Sequence, residues 1–262
     1  MIAPHRFLNK PGDVAEIFRR FPSGERSHET SYATVRDYCE SLDHLPQVTG
    51  MDGDLKNVQR PWVVKALLRT VKPPAKILEI GGGEPVVSAF LNELGYDVTL
   101  VDPYDGSGNG PTAFQQYVER FPNVKIVRKY FEPQMPDFTP GSFNAIFSVS
   151  VLEHLPVDAA TKCFQAIRDF LVPGGASVHC FDFILEGNGQ EYDRTVASNL
   201  LRLQATLGNY ELSRLEELLD RLRGDTETFF LSPQGHHLWR GGLAYDKFPF
   251  RKVVSIQTIA FN

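Results

Sequence analysis

The sequence predicts an α/β protein: a mainly parallel sheet of seven strands with helices on both faces, the last strand antiparallel, and a helical cap at the N-terminus. Two observations carry this reading. Short apolar runs rich in Val and Ile alternate with helical periodicities over most of the chain, and three consecutive glycines, Gly81-Gly82-Gly83, follow the first of those runs. Repeated strand and helix units require right-handed crossovers, which produce a parallel sheet buried on both faces.

The elements follow in order. Residues 1–60 are polar and punctuated by Pro11-Gly12, Pro22, Gly24, Gly50 and Gly53, with short helical patterns over Asp13–Arg20 and Thr30–Leu42. They read as an N-terminal helical cap, and residues 61–262 as the principal domain. Pro61 suits a first helical position, and Trp62, Val63, Ala66, Leu67 and Val71 recur at helical spacing until Pro73-Pro74 stops them. Lys76–Ile80 is the first strand, and the glycines lead into a helix with Pro85 in its first turn. Val98–Val101 is the second strand, Thr112–Arg120 a helix, Val124–Val127 the third strand and Ala145–Val149 the fourth. A helix over Asp158–Leu171 ends at Pro173-Gly174-Gly175, and Ala176–Phe183 is the fifth strand. Leu212–Leu222 is helical, with Thr226–Leu231 and Val253–Ala260 as sixth and seventh strands. Two insertions, 185–208 and 232–251, interrupt the rhythm. Long connections of this kind usually carry function.

Composition narrows the function. With 42% hydrophobic and 23% charged residues, the chain is an ordinary folded protein rather than a disordered one. Lys and Arg total 27 against 32 Asp and Glu, a net charge of -5, so no global positive field invites nucleic acid. Cys39, Cys163 and Cys180 form no close pair and supply no four-ligand metal site. They read as thiols of a reducing compartment. Met1–Lys10 has no apolar export-type run, and nowhere do 18 uncharged apolar residues follow one another. A soluble cytoplasmic protein is expected, with neither nucleic acid nor membrane as partner.

Glycines directly after a buried strand let a ligand approach the backbone, because no Cβ intervenes and positive φ is allowed. A dinucleotide fingerprint needs a further glycine where Val86 stands, and no Lys-Ser or Lys-Thr follows for a Walker-type loop. Glu84 occupies the helix mouth where a phosphate would bind, and Glu79 adds a second negative charge at the strand end. The loop suits a ligand without phosphates.

Four segments, in order, resemble the class I S-adenosylmethionine-dependent methyltransferases, with their Rossmann-like sheet, over roughly Lys76 to Phe183. They are Ile77 to Gly83; Val101-Asp102, with its acid 23 positions after Glu79; Ser142 to Ile146 running on to Val151-Leu152-Glu153-His154-Leu155; and Leu171 to Gly175. The resemblance implies S-adenosylmethionine as cofactor and S-adenosylhomocysteine as product. It implies that Glu79, Gly81, Gly82 and Gly83 hold the methionine end, that Asp102 grips the ribose, and that Ser148 belongs to the same site. Pro85 and Asn144 depart from the family pattern, and Lys129-Tyr130-Phe131-Glu132 lacks the frequent Gly-Asp pair. Phe131 is a candidate cover for the adenine, and Glu132 a candidate acceptor from its amine.

In-line methyl transfer depends on alignment and exclusion of water, and a base helps only when the acceptor must lose a proton. His154 is the candidate base, since it follows the fourth strand at the sheet's carboxyl edge beside a helix start; the alternative is that it shapes the pocket floor. His236, His237, Trp239, Arg240 and Tyr245 lie in the connection 232–251 and are candidates for acceptor binding; the alternative is surface loop. No His-Glu-x-x-His spacing occurs, and no metal is expected. The amino-group signature of nucleic acid base methylation would end the fourth strand, where Ser148-Val149-Ser150-Val151 stands instead. A small-molecule acceptor is the remaining reading. Two rivals share the glycine loop. One is an aminopropyltransferase resembling spermidine synthase, which would need acids in 148–150; the other is a non-catalytic cofactor-binding partner or sensor. Neither acceptor nor oligomeric state is legible.

Overall fold

The computed structural model describes residues 5–262 apart from 9, 11, 25, 108–109, 188–191 and 211–214. Its strands are β1 (Glu29–Tyr32), β2 (Lys76–Ile80), β3 (Asp97–Val101), β4 (Lys125–Val127), β5 (Phe143–Val149), β6 (Leu171–Glu186) and β7 (Lys252–Phe261). Its helices are α1 (Asp13–Arg20), α2 (Val35–His44), α3 (Lys56–Thr70), α4 (Val86–Glu93), α5 (Phe114–Arg120), α6 (Val157–Phe170), α7 (Arg194–Gly208), α8 (Leu215–Gly224) and α9 (Pro233–Arg240). The strands form one sheet in the order β1-β7-β6-β5-β2-β3-β4. Only β7 runs antiparallel to its neighbours, pairing with β6 on one side and β1 on the other. The predicted seven-stranded, mainly parallel sheet is therefore present.

Alternation along the strands decides what each face holds. Ile77, Ala145, Phe147 and Val178 face α3 and α4 with Val63, Leu67, Phe90 and Leu91. Leu78, Ile146, Phe181 and Val254 face α6 and α7 with Phe164, Ile167, Phe170 and Leu200. By the same alternation Glu79 and Asp182 turn toward α3, whereas Ser148 and His179 turn toward α6. The chain leaves β2 for β3 on one side and returns to β5 on the other, so a crevice opens beyond the carboxyl ends of β2 and β5.

Several boundaries differ from those read off the sequence. The helix expected over Thr30–Leu42 divides into β1 and α2, because Thr30 to Tyr32 pair with Ile256 to Thr258 of β7, and Thr34 caps α2 by accepting from the Asp37 N–H. Pro61 does not begin a helix: α3 starts at Lys56 and carries Pro61 within it. The sixth strand expected over Thr226–Leu231 is absent, and only isolated bridges join Thr228 to Thr34 and Phe230 to Val254. Its edge of the sheet is taken by β1. The turn expected at Pro173-Gly174-Gly175 lies inside β6, which reaches Glu186; a register irregularity between Phe143 and Ala145 and a positive φ of 73° at Gly174 absorb it. Part of the expected helix Leu212–Leu222 falls outside the described residues, and α8 begins at Leu215. Among the described residues, no helix is long and apolar enough to cross a membrane.

Candidate active site

The glycine loop is built by steric demand. Gly81 and Gly83 have φ of 64° and 53°, values that L side chains rarely adopt. A Cβ on Gly82 would stand 2.6 Å from the Glu79 carboxyl carbon and 2.5 Å from Leu100. Any larger residue would push the loop off the strand ends. The loop is then fixed from β3: Asp102 accepts from the Gly83 N–H at 3.1 Å and from the Tyr104 N–H at 2.8 Å. Tyr104 returns the connection, its hydroxyl donating to the Gly83 carbonyl at 2.6 Å. It is fully buried and has φ of 50°. A carboxylate has about four lone-pair sites, so the two backbone bonds leave Asp102 capacity to accept from a ligand hydroxyl.

Glu79, one residue before the end of β2, has 2% of its surface exposed and accepts from the Ser88 hydroxyl of α4. Burial pushes its carboxyl from the ordinary 4.5 up to about 7, against the Ser88 bond and the charge of Arg60 on α3. Burial likewise raises Asp102, opposed by its two backbone donors. Glu84 is held in an ion pair by Arg120 of α5, so the acid at the helix mouth is partly neutralised. Two acidic acceptors at adjacent strand ends suit an ammonium and vicinal hydroxyls. They do not suit a phosphate.

Beyond β5 a short 3₁₀ turn, Leu152–His154, precedes α6, which the sequence placed correctly just after it. The His154 ring meets Tyr192 edge-on at 5.3 Å, and Tyr192 meets Trp239 of α9 at 6.4 Å. The Arg251 guanidinium lies 5.4 Å from the Tyr192 ring centroid. Trp239 also donates to Asp54 at 2.7 Å, tying α9 to the loop before α3. His154, after β5, and Trp239, in the late connection, are thus linked through Tyr192, which the sequence reading had passed over.

The other candidates are distributed unevenly. The ring nitrogens of His236 lie 2.9 Å from the Ser232 carbonyl and 2.7 Å from the Arg251 carbonyl, so the ring sits between α9 and the start of β7. His237 is exposed. Arg240 stacks on Tyr245 at 4.5 Å, and Tyr245 is 75% exposed. Phe131 is half-buried with its ring 5.9 Å from Phe170, and Glu132 beside it is exposed. Ser148 is fully buried and its hydroxyl meets His179 Nδ1 at 2.8 Å, toward α6. Its side chain serves the core, a placement fixed by strand alternation rather than by chemistry. Burial drives His179 down to about 3, so this ring is neutral.

A second acidic pair lies between β5, β6 and α3. Glu153 accepts from the Asp182 N–H at 2.8 Å, and Asp182 accepts from Gln59 at 2.8 Å and Ser150 at 3.0 Å. Both are fully buried and both are raised: Glu153 by burial and the charge of Asp182, Asp182 by burial against the bonds from Gln59 and Ser150. Sequence spacing carried no signal of this pair, whose members are 29 positions apart.

Residues 51–182, about half of the chain, match the family model of the methyltransferase domain. Among curated proteins the chain is similar to an uncharacterized protein of Mycobacterium tuberculosis, 30% identical over 122 residues that cover 46% of this chain and 39% of that one. It is also similar to the ubiquinone biosynthesis O-methyltransferase of Pseudomonas aeruginosa, 29% identical over 101 residues, 38% of this chain and 41% of that protein. The matched segment spans only about two fifths of the length of these relatives. Among solved structures, a proposed sarcosine dimethylglycine methyltransferase from Galdieria sulphuraria shares the fold, with a TM-score of 0.51 at 13% identity over 87% of this chain and 97% of that one.

Proposed function

Because the chain belongs to the methyltransferase domain family and has the class I fold of its S-adenosylmethionine-dependent members, we propose that it methylates a small-molecule acceptor and releases S-adenosylhomocysteine. The observation that carries this reading is the tether between Asp102 and Gly83, which sets a buried carboxylate and a side-chain-free backbone at the same strand ends. When bound, the cofactor supplies an electrophilic methyl group on a sulfonium. Glu79 and the loop Gly81 to Gly83 hold its methionine end, and Asp102 accepts from its ribose hydroxyls. Phe131 and Glu132 flank the adenine.

The acceptor side consists of His154, Tyr192 and Trp239, whose rings form a row beyond β5. Aromatic walls exclude water and orient a small acceptor, and orientation is the larger part of catalysis for an in-line displacement, about 7 to 11 kcal/mol. His154 takes the acceptor's proton where one must leave. The loop before α3 and the connection 232–251 meet on this side, joined by the bond between Asp54 and Trp239. The three cysteines, none of them bridged, fit a cytoplasmic location.

The test is methyl transfer itself. The protein is incubated with methyl-labelled S-adenosylmethionine and a panel of small phenols, amines and carboxylates, and S-adenosylhomocysteine release is followed. Release with at least one acceptor, lost in Asp102→Ala, supports the reading. Binding of the cofactor without release for any acceptor favours a sensor, and transfer from decarboxylated cofactor alone favours aminopropyl chemistry.

A further inference from the structure

β6 outruns its neighbour. The two strands pair as far as Val149 and Cys180, where β5 ends, whereas β6 continues to Glu186. Alternate backbone groups of β6 face the edge that β5 has left, and an unpaired N–H at a buried position is costly. Each finds another partner here. The Cys180 carbonyl accepts from the Ser150 N–H at 3.0 Å. The Asp182 N–H donates to Glu153 Oε1 at 2.8 Å, and the Ile184 N–H to the Tyr192 carbonyl at 2.9 Å. The turn that carries His154 and the residue whose ring His154 meets are thus mounted on one strand edge.

The Asp182 side chain closes the arrangement. Its Oδ2 accepts from the Ser150 hydroxyl at 3.0 Å, and its Oδ1 from Gln59 Nε2 of α3 at 2.8 Å. The same Gln59 nitrogen donates to Ser255 of β7 at 3.1 Å. Asp182 therefore holds the turn at two points, with its carboxyl group at Ser150 and with its N–H one residue before His154. Ser150 has φ of 53°, a conformation uncommon for a residue with a side chain, which persists where the surroundings impose it. The segment Leu152–His154 is a single 3₁₀ turn, whose own hydrogen bonds have poorer geometry than those of an α-helix. Its place depends on the bonds to β6.

Neither acid acts on an acceptor directly, because Glu153 is 2% exposed and Asp182 4%. Two carboxyls buried side by side do not readily both ionise, and they hold a proton between them. Glu153 is raised further than Asp182, by burial and by the charge of its partner, so it is the protonated member. Glutamine copies both its shape and its neutrality.

We propose that Asp182 and Glu153 are positioning residues for methyl transfer: together with Ser150 they fix the turn that carries His154 and so set His154 against Tyr192 where the acceptor is received. The role rests on the function proposed above, which gives that aromatic row the acceptor. Misplacement by 1 Å can lower a rate by about a hundredfold.

The test uses the full chain labelled with carbon-13 at histidine Cε1, the His154 signal being assigned by its loss in His154→Ala. The Tyr192 ring meets His154 edge-on at 5.3 Å, and its ring current displaces that signal. Ser150→Ala and Glu153→Ala are expected to move it, while the signal of His28, stacked on Tyr210, stays. Glu153→Gln is expected to leave it in place. With an acceptor from the methyl-transfer screen, kcat should fall about tenfold to a hundredfold in both alanine variants and recover in Glu153→Gln. KM and S-adenosylhomocysteine affinity should stay within about twofold. Ser150 is half-buried, so its variant keeps the test open if Glu153→Ala does not fold. An unmoved His154 signal, a loss of kcat that Glu153→Gln does not restore, or an equal loss of S-adenosylhomocysteine affinity would overturn the proposal. A parent protein that turns over no acceptor, with the His154 signal moving as expected, would instead remove the methyl-transfer reading and the role with it.

Discussion

The carboxylate of Asp102 and the backbone N–H of Gly83 are 3.1 Å apart, a bond that couples the end of β3 to the loop leaving β2. One acid thereby shapes the glycine loop and, in the function proposed above, also accepts from the cofactor's ribose hydroxyls. Asp102→Ala removes both roles, and cofactor affinity is expected to fall by about 1.5 to 3 kcal/mol, the range for hydrogen bonds to a charged acceptor. Calorimetric titration checks this; unchanged affinity would remove Asp102 from the site.

Tyr104 separates the architectural role from the binding role. Its hydroxyl donates to the Gly83 carbonyl at 2.6 Å from a fully buried position. Tyr104→Phe leaves that carbonyl without the donor, and a stability loss of about 1 to 2 kcal/mol is expected from urea denaturation. Cofactor affinity should fall less than in Asp102→Ala. A variant as stable as the parent would show that the bond contributes nothing.

Much of this region was legible in the sequence. The run Lys76 to Ile80, its glycines and Asp102 needed only local pattern, since a buried strand followed by positive-φ residues has few alternative readings. Glu29 to Tyr32 was not legible, because all four residues are half-buried and show no alternation; their strand exists through pairing with β7, over two hundred residues away. Thr226 to Leu231 misled for the converse reason: its Thr and Phe residues favour strands, yet the edge of β7 is occupied by β1. Ser148 was placed in the site by its position, and the pleat turned its hydroxyl to His179. Tyr104, Tyr192 and the pair Glu153 and Asp182 are assembled by tertiary structure, and no spacing rule reaches them.

The raised carboxyl of Glu79 makes cofactor binding depend on pH. With this group at about 7, and the cofactor's ammonium placed beside it by the function proposed above, the carboxylate is the binding form. Affinity is expected to drop as pH falls below 7, by at most about tenfold per unit for one proton. Glu79→Gln should bind weakly and without that slope. A parent protein whose affinity is flat from pH 5.5 to 8 would contradict the assignment of the methionine end to Glu79.

Folding stability should move in the opposite sense to that of an ordinary acid-labile protein. Glu79, Glu153 and Asp182 are all raised by burial, from the ordinary 4.5 to about 7, from 4.5 to about 8 and from 3.8 to about 6, so from 3.8 to about 8 these groups bind more protons in the folded chain than in the unfolded one. Stability then falls as pH rises through that window; the cost is absent below it and complete above it. The urea midpoint is expected to be lower at pH 8 than at pH 5.5, and Glu153→Gln, which keeps an acceptor for the Asp182 N–H, should lessen the decline. A midpoint that rises over this interval would show that these carboxyls are not desolvated.

The most direct measurement is calorimetric titration of the full chain with S-adenosylmethionine and S-adenosylhomocysteine, with decarboxylated cofactor and NAD as controls. Binding of the first two at about micromolar concentrations, with the controls inert, is the result a Glu79, glycine loop and Asp102 site requires. Binding of NAD, or of none of the four, would contradict it.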